Sequence, residues 1–284
     1  MSDYIGVVAI CGEEKTGKTT MALTFPKPLV HYDIDVGGFR RASWRLSTTD
    51  IVSRSYPKPI QIEKMLGSTS TRAVQPKKVV GVKELWQQIV QNFVDDCMNP
   101  DIRSIVLDSA TLLWNIAHNS YLQELQEKQL AQHLAKTRTP FNEDDYRERL
   151  QPIEYGPAND RMRTLLHTAR TFQKNLVLVH YPTDEYGAVP DGRGNIVEGR
   201  TGKKVIDGFK ETSKLADLVL WTYIKESKVD KSTISQPYAK ITLCGLEGVG
   251  LEGVGREIPA NYNAIVELID TFKLAAQAME SANG

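Results

Sequence analysis

The sequence predicts a three-layer α/β domain whose central sheet is mainly parallel and gains antiparallel strands late in the chain. Three observations lead there. A short apolar, β-branched run, Tyr4-Ile5-Gly6-Val7-Val8-Ala9-Ile10, feeds directly into a glycine loop and a helix start. A second apolar run, Arg103-Ser104-Ile105-Val106-Leu107-Asp108, ends in an acid. Between and after them, strand-like runs alternate with segments whose apolar residues recur at helical spacing. The bulk numbers suit such a domain: 284 residues with 41% hydrophobic and 25% charged. The 35 Lys+Arg balance the 35 Asp+Glu, so any attraction to a polyanion must come from local patches.

The first loop reads Gly12-Glu13-Glu14-Lys15-Thr16-Gly17-Lys18-Thr19-Thr20 and fits G-x-x-x-x-G-K-[ST]. The pattern requires a strand before it and a helix after it. Both are present, since Lys18–Thr24 can wind about two turns before Pro26 stops them. Glycines let backbone N–H groups converge on phosphate oxygens, and the helix N-terminus adds its positive dipole end. Residues Gly12 to Thr20 are therefore the expected nucleotide site for ATP and Mg²⁺. Lys18 would reach the β- and γ-phosphates, and the Thr19 hydroxyl would hold the metal.

The next strand, Pro28–Tyr32, ends in Asp33-Ile34-Asp35-Val36-Gly37-Gly38. Acids at a strand's C-terminal end lie where α/β sheets bind ligands. Asp35 has two readings, a general base that polarises water or a turn and cap residue. The run ending in Asp108 matches the Walker B pattern, with Asp108 on Mg²⁺, and Ser109 rather than an acid follows it. A catalytic carboxylate must then come from elsewhere, which favours Asp35 over Asp33. Leu176–Val179 is a third core strand tipped by His180, read either as a γ-phosphate sensor or as a capping residue. Leu215–Trp221 and Tyr238–Leu243 read as late antiparallel strands. Helices are expected over 82–98, 111–135, 161–172 and 264–280, with 281–284 frayed. The doubled LEGVG at 246–255 suggests paired turns.

Two segments exceed a minimal core. Residues 36–80 carry nine Lys/Arg, among them Arg40, Arg41 and Arg45, against Asp50 and Glu63, with Trp44 and Tyr56 interleaved. Such a stretch either grips single-stranded nucleic acid through phosphates and stacked bases or is a solvated insertion. Residues 182–214 are glycine-rich and hold Arg193, Arg200, Lys203, Lys204, Lys210 and Lys214, which suggests a mobile loop that binds DNA or reaches a neighbour's nucleotide. The three cysteines, Cys11, Cys97 and Cys244, are far apart and form no metal-binding spacing, and no apolar run approaches membrane-span length. A reduced, intracellular chain with no metal cluster and no membrane contact is the expectation.

The order of these parts resembles the RecA-type branch of P-loop ATPases (the AAA/RecA core), and most closely the RecA-like ATPases that phages encode for single-strand annealing and recombination. The residues that carry the resemblance are GEEKTGKT at 12–19, HYDIDVGG at 31–38, SIVLDSAT at 104–111, YGPANDRMRTLLHTAR at 155–170, LVLVHYPTDEYG at 176–187 and SKLADLVLWTY at 213–223. They span residues 4–224, and CGLEGVGLEGVGREIP with the last helix matches the family's tail. The resemblance implies one ATPase domain over 1–284 that binds single-stranded DNA and promotes annealing or homologous recombination. It implies a catalytic acid at Asp35, where the family usually has Glu, a sensor at His180, a DNA-contacting loop at 182–214, and Lys210 or Lys214 acting across a subunit interface. The implied partners are single-stranded DNA, further copies of the chain in a ring or filament, and a single-strand DNA-binding protein. The implied location is cytoplasmic, in the host for a phage-encoded chain. No assembly segment precedes Tyr4, so strand exchange from that end is not expected. A DNA motor of the packaging type, a small-molecule kinase and a nucleotide-gated binding protein are the alternative functions.

Overall fold

In the computed structural model, which describes residues 4–59, 77–137, 139–142, 145–190, 195–229 and 232–283, the apolar runs of the sequence become strands buried on both faces. In chain order the strands are β1 (Val7–Gly12), β2 (Leu29–Asp33), β3 (Ile51–Ser55), β4 (Ser104–Asp108), β5 (Asn175–Val179), β6 (Pro182–Pro190), β7 (Ile196–Ile206), β8 (Leu218–Val229), β9 (Ser232–Cys244) and β10 (Glu257–Pro259). The helices are α1 (Lys18–Ala22), α2 (Gly38–Ala42), α3 (Val82–Met98), α4 (Ala110–Lys136), α5 (Tyr155–Thr171), α6 (Thr212–Leu215) and α7 (Tyr262–Asn283). Eight strands form one sheet in the order β10-β9-β8-β1-β5-β4-β2-β3, while β6 and β7 pair only with each other.

Successive side chains of a strand point to opposite faces, and here both faces are covered. Val7 and Ala9 of β1, Ile105 and Leu107 of β4, and Leu176 and Leu178 of β5 pack under α3, α4 and α5 against Ile89, Phe93, Leu113 and Leu166. Val8 and Ile10, Val106, and Val177 and Val179 face the other way, towards Met21 of α1 and Ile265 of α7. That accounts for runs with no polar alternation and establishes the expected three layers, with a mainly parallel sheet. The strands from β8 across to β3 all run parallel, whereas β9 and β10 are antiparallel.

Several expectations change. The 215–221 strand, expected to be antiparallel, begins at Leu218 and pairs parallel with β1. Only its return strand β9 reverses direction. The basic stretch 36–80 is in part core structure, since it contains α2 and β3, which pairs parallel with β2 from Leu29↔Ile51 to Asp33↔Ser55. Its half-buried pattern, with Arg54 among its five residues, hid this edge strand. Residues 60–76, including Lys64, Arg72 and Glu63, lie outside the described residues. The 182–214 stretch contains a long β-hairpin where a loop was expected. Its glycines serve strand contact: Gly187 and Gly199 face each other across the hairpin, and a Cβ on Gly199 would sit 2.6 Å from a Val189 methyl. Helix α5 begins at Tyr155, so Gly156 and Pro157 lie in its first turn, where proline costs no hydrogen bond. Helix α7 continues to Asn283. Among the described residues no helix is long and apolar enough to cross a membrane.

The β3 edge is fastened by a buried carboxylate. Asp96 of α3 accepts from the Tyr32 hydroxyl at 2.5 Å and from both Arg54 terminal nitrogens at 2.6 and 2.9 Å. Burial, and then this bond, hold the Tyr32 hydroxyl well above the usual phenol range. The Tyr56 ring stacks on Tyr32 with centroids 5.3 Å apart. Removing the carboxylate strands a buried phenol and a half-buried guanidinium. Asp96→Ala is therefore expected to lower stability by about 2–4 kcal/mol in urea unfolding. A loss under about 0.5 kcal/mol, the range of neutral surface changes, would contradict this role.

Candidate nucleotide site

Strand β1 ends at Gly12 and the chain turns back over the sheet edge into α1. A Cβ on Gly12 would lie 2.4 Å from the Thr222 hydroxyl and 2.5 Å from its carbonyl, so no other residue fits beside β8. Thr16 braces the loop from within, donating to the Glu13 carbonyl at 2.8 Å and lying 2.7 Å from the Thr222 hydroxyl. The Lys18 ammonium is nearly buried and donates to the carbonyls of Gly12 and Glu13, each at 2.7 Å. Its burial pulls its pKa below the ordinary lysine value.

The expected metal ligands are neighbours. The Thr19 hydroxyl donates to Asp108 Oδ2 at 2.6 Å. Parallel registers align Asp33 with Asp108 and Asp108 with Val179, so the strand ends meet at one edge. His31, fully buried in β2, places Nε2 3.4 Å from the same Oδ2 while Nδ1 meets the Ser53 hydroxyl at 3.0 Å. The sequence reading gave His31 no role, although it opens the HYDIDVGG stretch, because a lone mid-strand histidine has no spacing that points to a ligand.

Asp33 and Asp35 separate cleanly. Asp33 is buried and its Oδ2 accepts from the Gly37 N–H at 3.0 Å, the turn role. Asp35 lines the cleft, where its Oδ2 accepts from the Tyr181 hydroxyl at 2.6 Å. Tyr181 also lays its ring 5.6 Å from the Lys18 ammonium. Burial, then the Asp35 bond, push its phenol well above the usual range. The expectation for His180 must be corrected. Its side chain is fully buried beneath the edge, with Nδ1 3.1 Å from the Asp207 carbonyl and Nε2 without a partner among the described residues. The residue that reaches the cleft from the end of β5 is Tyr181, one position later.

The cleft is open and about 660 Å³, lined by Glu14, Lys15, Gly17–Thr20, Asp35, Gly38, Arg41, Ala42, Arg45, Asp108 and Tyr181. That size suits a small-molecule ligand. Hydroxyl and carboxylate oxygens side by side are the hard donor set Mg²⁺ prefers, so Thr19 and Asp108 fit the metal and the loop with Lys18 fits a polyphosphate. When bound, Mg²⁺ would be held by Thr19 and Asp108 and would supply positive charge to offset that of the phosphates.

The remaining candidates are scattered. Arg41 and Arg45 line the cleft, while Arg40 is exposed outside it. Arg200 and Lys204 lie on β7, 3.3 and 2.8 Å from Asp184, and Lys203 beside them is exposed. Lys210 and Lys214 are exposed and do not line the cleft. Arg193 lies outside the described residues.

Burial depresses the His180 pKa from 6.5 to about 4, so the ring is neutral in the folded protein. Between those values the unfolded chain binds more protons, and stability falls as pH drops from 6.5 towards 4, by roughly 3 kcal/mol in all. His180→Gln, which keeps a donor but cannot titrate, should flatten the acid-side fall in urea midpoint. An unchanged fall would overturn the buried neutral assignment.

A family model described as an AAA domain matches residues 6–243, most of the chain and the strands from β1 to all but the last residue of β9. No curated protein matches the chain. With the phosphate loop, the strand-end acid and the parallel sheet in their required places, the chain belongs to the AAA domain family of P-loop ATPases.

Proposed function

We propose that this chain is a Mg²⁺-dependent ATPase whose nucleotide state sets its grip on single-stranded DNA, in the service of strand annealing or recombination. One observation carries the reading. The short helical segment after Gly37 has two faces: Gly38, Arg41, Ala42 and Arg45 line the nucleotide cleft, while Arg40 and Trp44 point outward, Trp44 with 90% of its surface exposed. An exposed indole and an exposed arginine four residues apart are what stacking on a base and meeting a phosphate require. A strand bound on the outer face would therefore press on the element that lines the ATP site.

In this reading Lys18 holds the β/γ-phosphate oxygens, and Thr19 and Asp108 position the metal. Asp35 takes a proton from attacking water once Tyr181 releases it. Tyr181 is followed directly by Pro182, the first residue of β6, so its position is linked to the projecting hairpin. Arg200 and Lys204 are tied to Asp184, which among the described residues leaves Lys203 as the hairpin cation for a phosphate. Assembly into a ring or filament belongs to the same proposal, with Lys210 and Lys214 exposed towards a neighbour.

The test is steady-state ATP hydrolysis with no DNA, single-stranded DNA or duplex DNA. Single strands should stimulate turnover, Lys18→Ala should abolish it, and Asp35→Asn should cut it by about 10²–10⁴-fold. Trp44→Ala should weaken single-strand binding by about 1–3 kcal/mol in a fluorescence titration. Hydrolysis indifferent to every DNA, with none retained at low salt, would sink the DNA reading and leave a nucleotide-gated switch.

A further inference from the structure

Gly38, Arg41, Ala42 and Arg45 follow one another at steps of three, one and three residues, a single face of α2 and the turn that continues it. All four line the cleft. The segment starts against the metal ligands, since a Cβ on Gly38 would lie 3.0 Å from Asp108 Oδ2 and 3.5 Å from the Thr19 hydroxyl. The Arg41 guanidinium folds back over the glycine turn, with Nη1 3.4 Å from the position a Gly37 Cβ would take. The segment therefore runs from the residues that would hold the metal, Thr19 and Asp108, to the glycine turn that follows Asp35.

Outside the cleft, Arg54 is held by Asp96, Arg147 by Glu154, Arg161 by Glu124, Arg163 by Glu211 and Arg170 by Asp217, whereas the exposed Arg40 and Arg149 are held by no carboxylate among the described residues. Arg41 and Arg45 have no ion pair or hydrogen bond with any described residue, although Asp35, Asp108 and Glu14 share their cleft. Two unpaired guanidiniums on the wall of a phosphate cleft repel each other and gain nothing from the fold itself. A planar fork with five donors matches phosphate oxygens closely.

We propose that Arg41 and Arg45 form a clamp in cis on the terminal phosphate of the nucleotide bound by their own chain, so that each subunit neutralises that charge itself. The proposal rests on the cleft being the ATP site. It moves two arginines from the expected DNA surface into the nucleotide machinery, and it makes a lysine supplied by a neighbour unnecessary for charge neutralisation.

The experiment is equilibrium binding of Mg²⁺-ADP and of the Mg²⁺-bound β,γ-imido analogue of ATP to the full chain. Wild type is compared with Arg41→Ala, Arg45→Ala and the double glutamine variant, which keeps the side-chain bulk. Loss of a guanidinium on the terminal phosphate should weaken the triphosphate analogue by about 10- to 100-fold and leave ADP affinity unchanged, and retained ADP binding also reports a folded site. Equal weakening of both ligands, or no change in either, would overturn the clamp while leaving the nucleotide site intact. A wild-type chain that binds neither ligand would overturn the nucleotide reading and the clamp together. Mixing Lys18→Ala with Arg41→Ala protein should restore no hydrolysis. Recovery of turnover in the mixture would place the arginine in trans and refute the proposal.

Discussion

Three neighbouring strands, β1, β5 and β4, are buried on both faces, and this constraint positions everything at the cleft. A strand with apolar neighbours above and below can bring polar groups to water only at its ends. The registers Ile10↔Val179, Val179↔Asp108 and Asp108↔Asp33 bring four such ends to one level. The phosphate loop, the metal carboxylate and the glycine turn after Asp33 become neighbours through backbone pairing alone. The Asp108 carbonyl then accepts from Ile34 N–H at 2.7 Å, which starts the turn that delivers Asp35 and α2 to the cleft.

The same constraint explains what was legible in the sequence. Two-sided burial leaves unbroken apolar runs, so β1, β4 and β5 could be read directly, and G-x-x-x-x-G-K-T located the loop because each of its residues answers a steric or charge requirement. Strand β3 was hidden because an edge strand is covered on fewer sides and here carries Arg54, whose partner Asp96 is 42 residues away. The hairpin was hidden because glycine has two uses. At Gly187 and Gly199 it removes a side chain where two strands touch, and composition alone cannot tell that from a loop.

The site residues divide along the same line. Lys18, Thr19 and Asp108 are fixed by local patterns and lie where those patterns require. His180 and Tyr181 differ by one position at a strand end, and one position decides which side chain goes under the edge and which goes over it. Histidine drew attention as a titratable group, yet its fully buried ring is pushed towards the neutral form, and the hydroxyl that reaches Asp35 belongs to tyrosine. The separation of Arg41 and Arg45 from Arg40 and Trp44 depends on a five-residue helix and the single turn that continues it, too short for periodicity to reveal.

Nearly every group that would meet a nucleotide already has an internal partner. Lys18 is bonded to two loop carbonyls, Thr19 to Asp108, and Asp35 to Tyr181. A triphosphate with its metal would exchange those bonds for others of similar kind, and each exchange nets only about 0.5–1.5 kcal/mol. Binding energy and selectivity must then come from cations that begin without partners, and among the described residues of this cleft those are Lys15 and the guanidiniums of Arg41 and Arg45. The exchange at Tyr181 has a different consequence. A ligand shifts a conformation only to the extent that it binds two states differently, and a hydroxyl that must leave Asp35 before water can be activated supplies that difference. Because Pro182 follows at once, the release of one hydrogen bond is transmitted by the backbone to the base of a nine-residue strand that pairs with nothing in the main sheet.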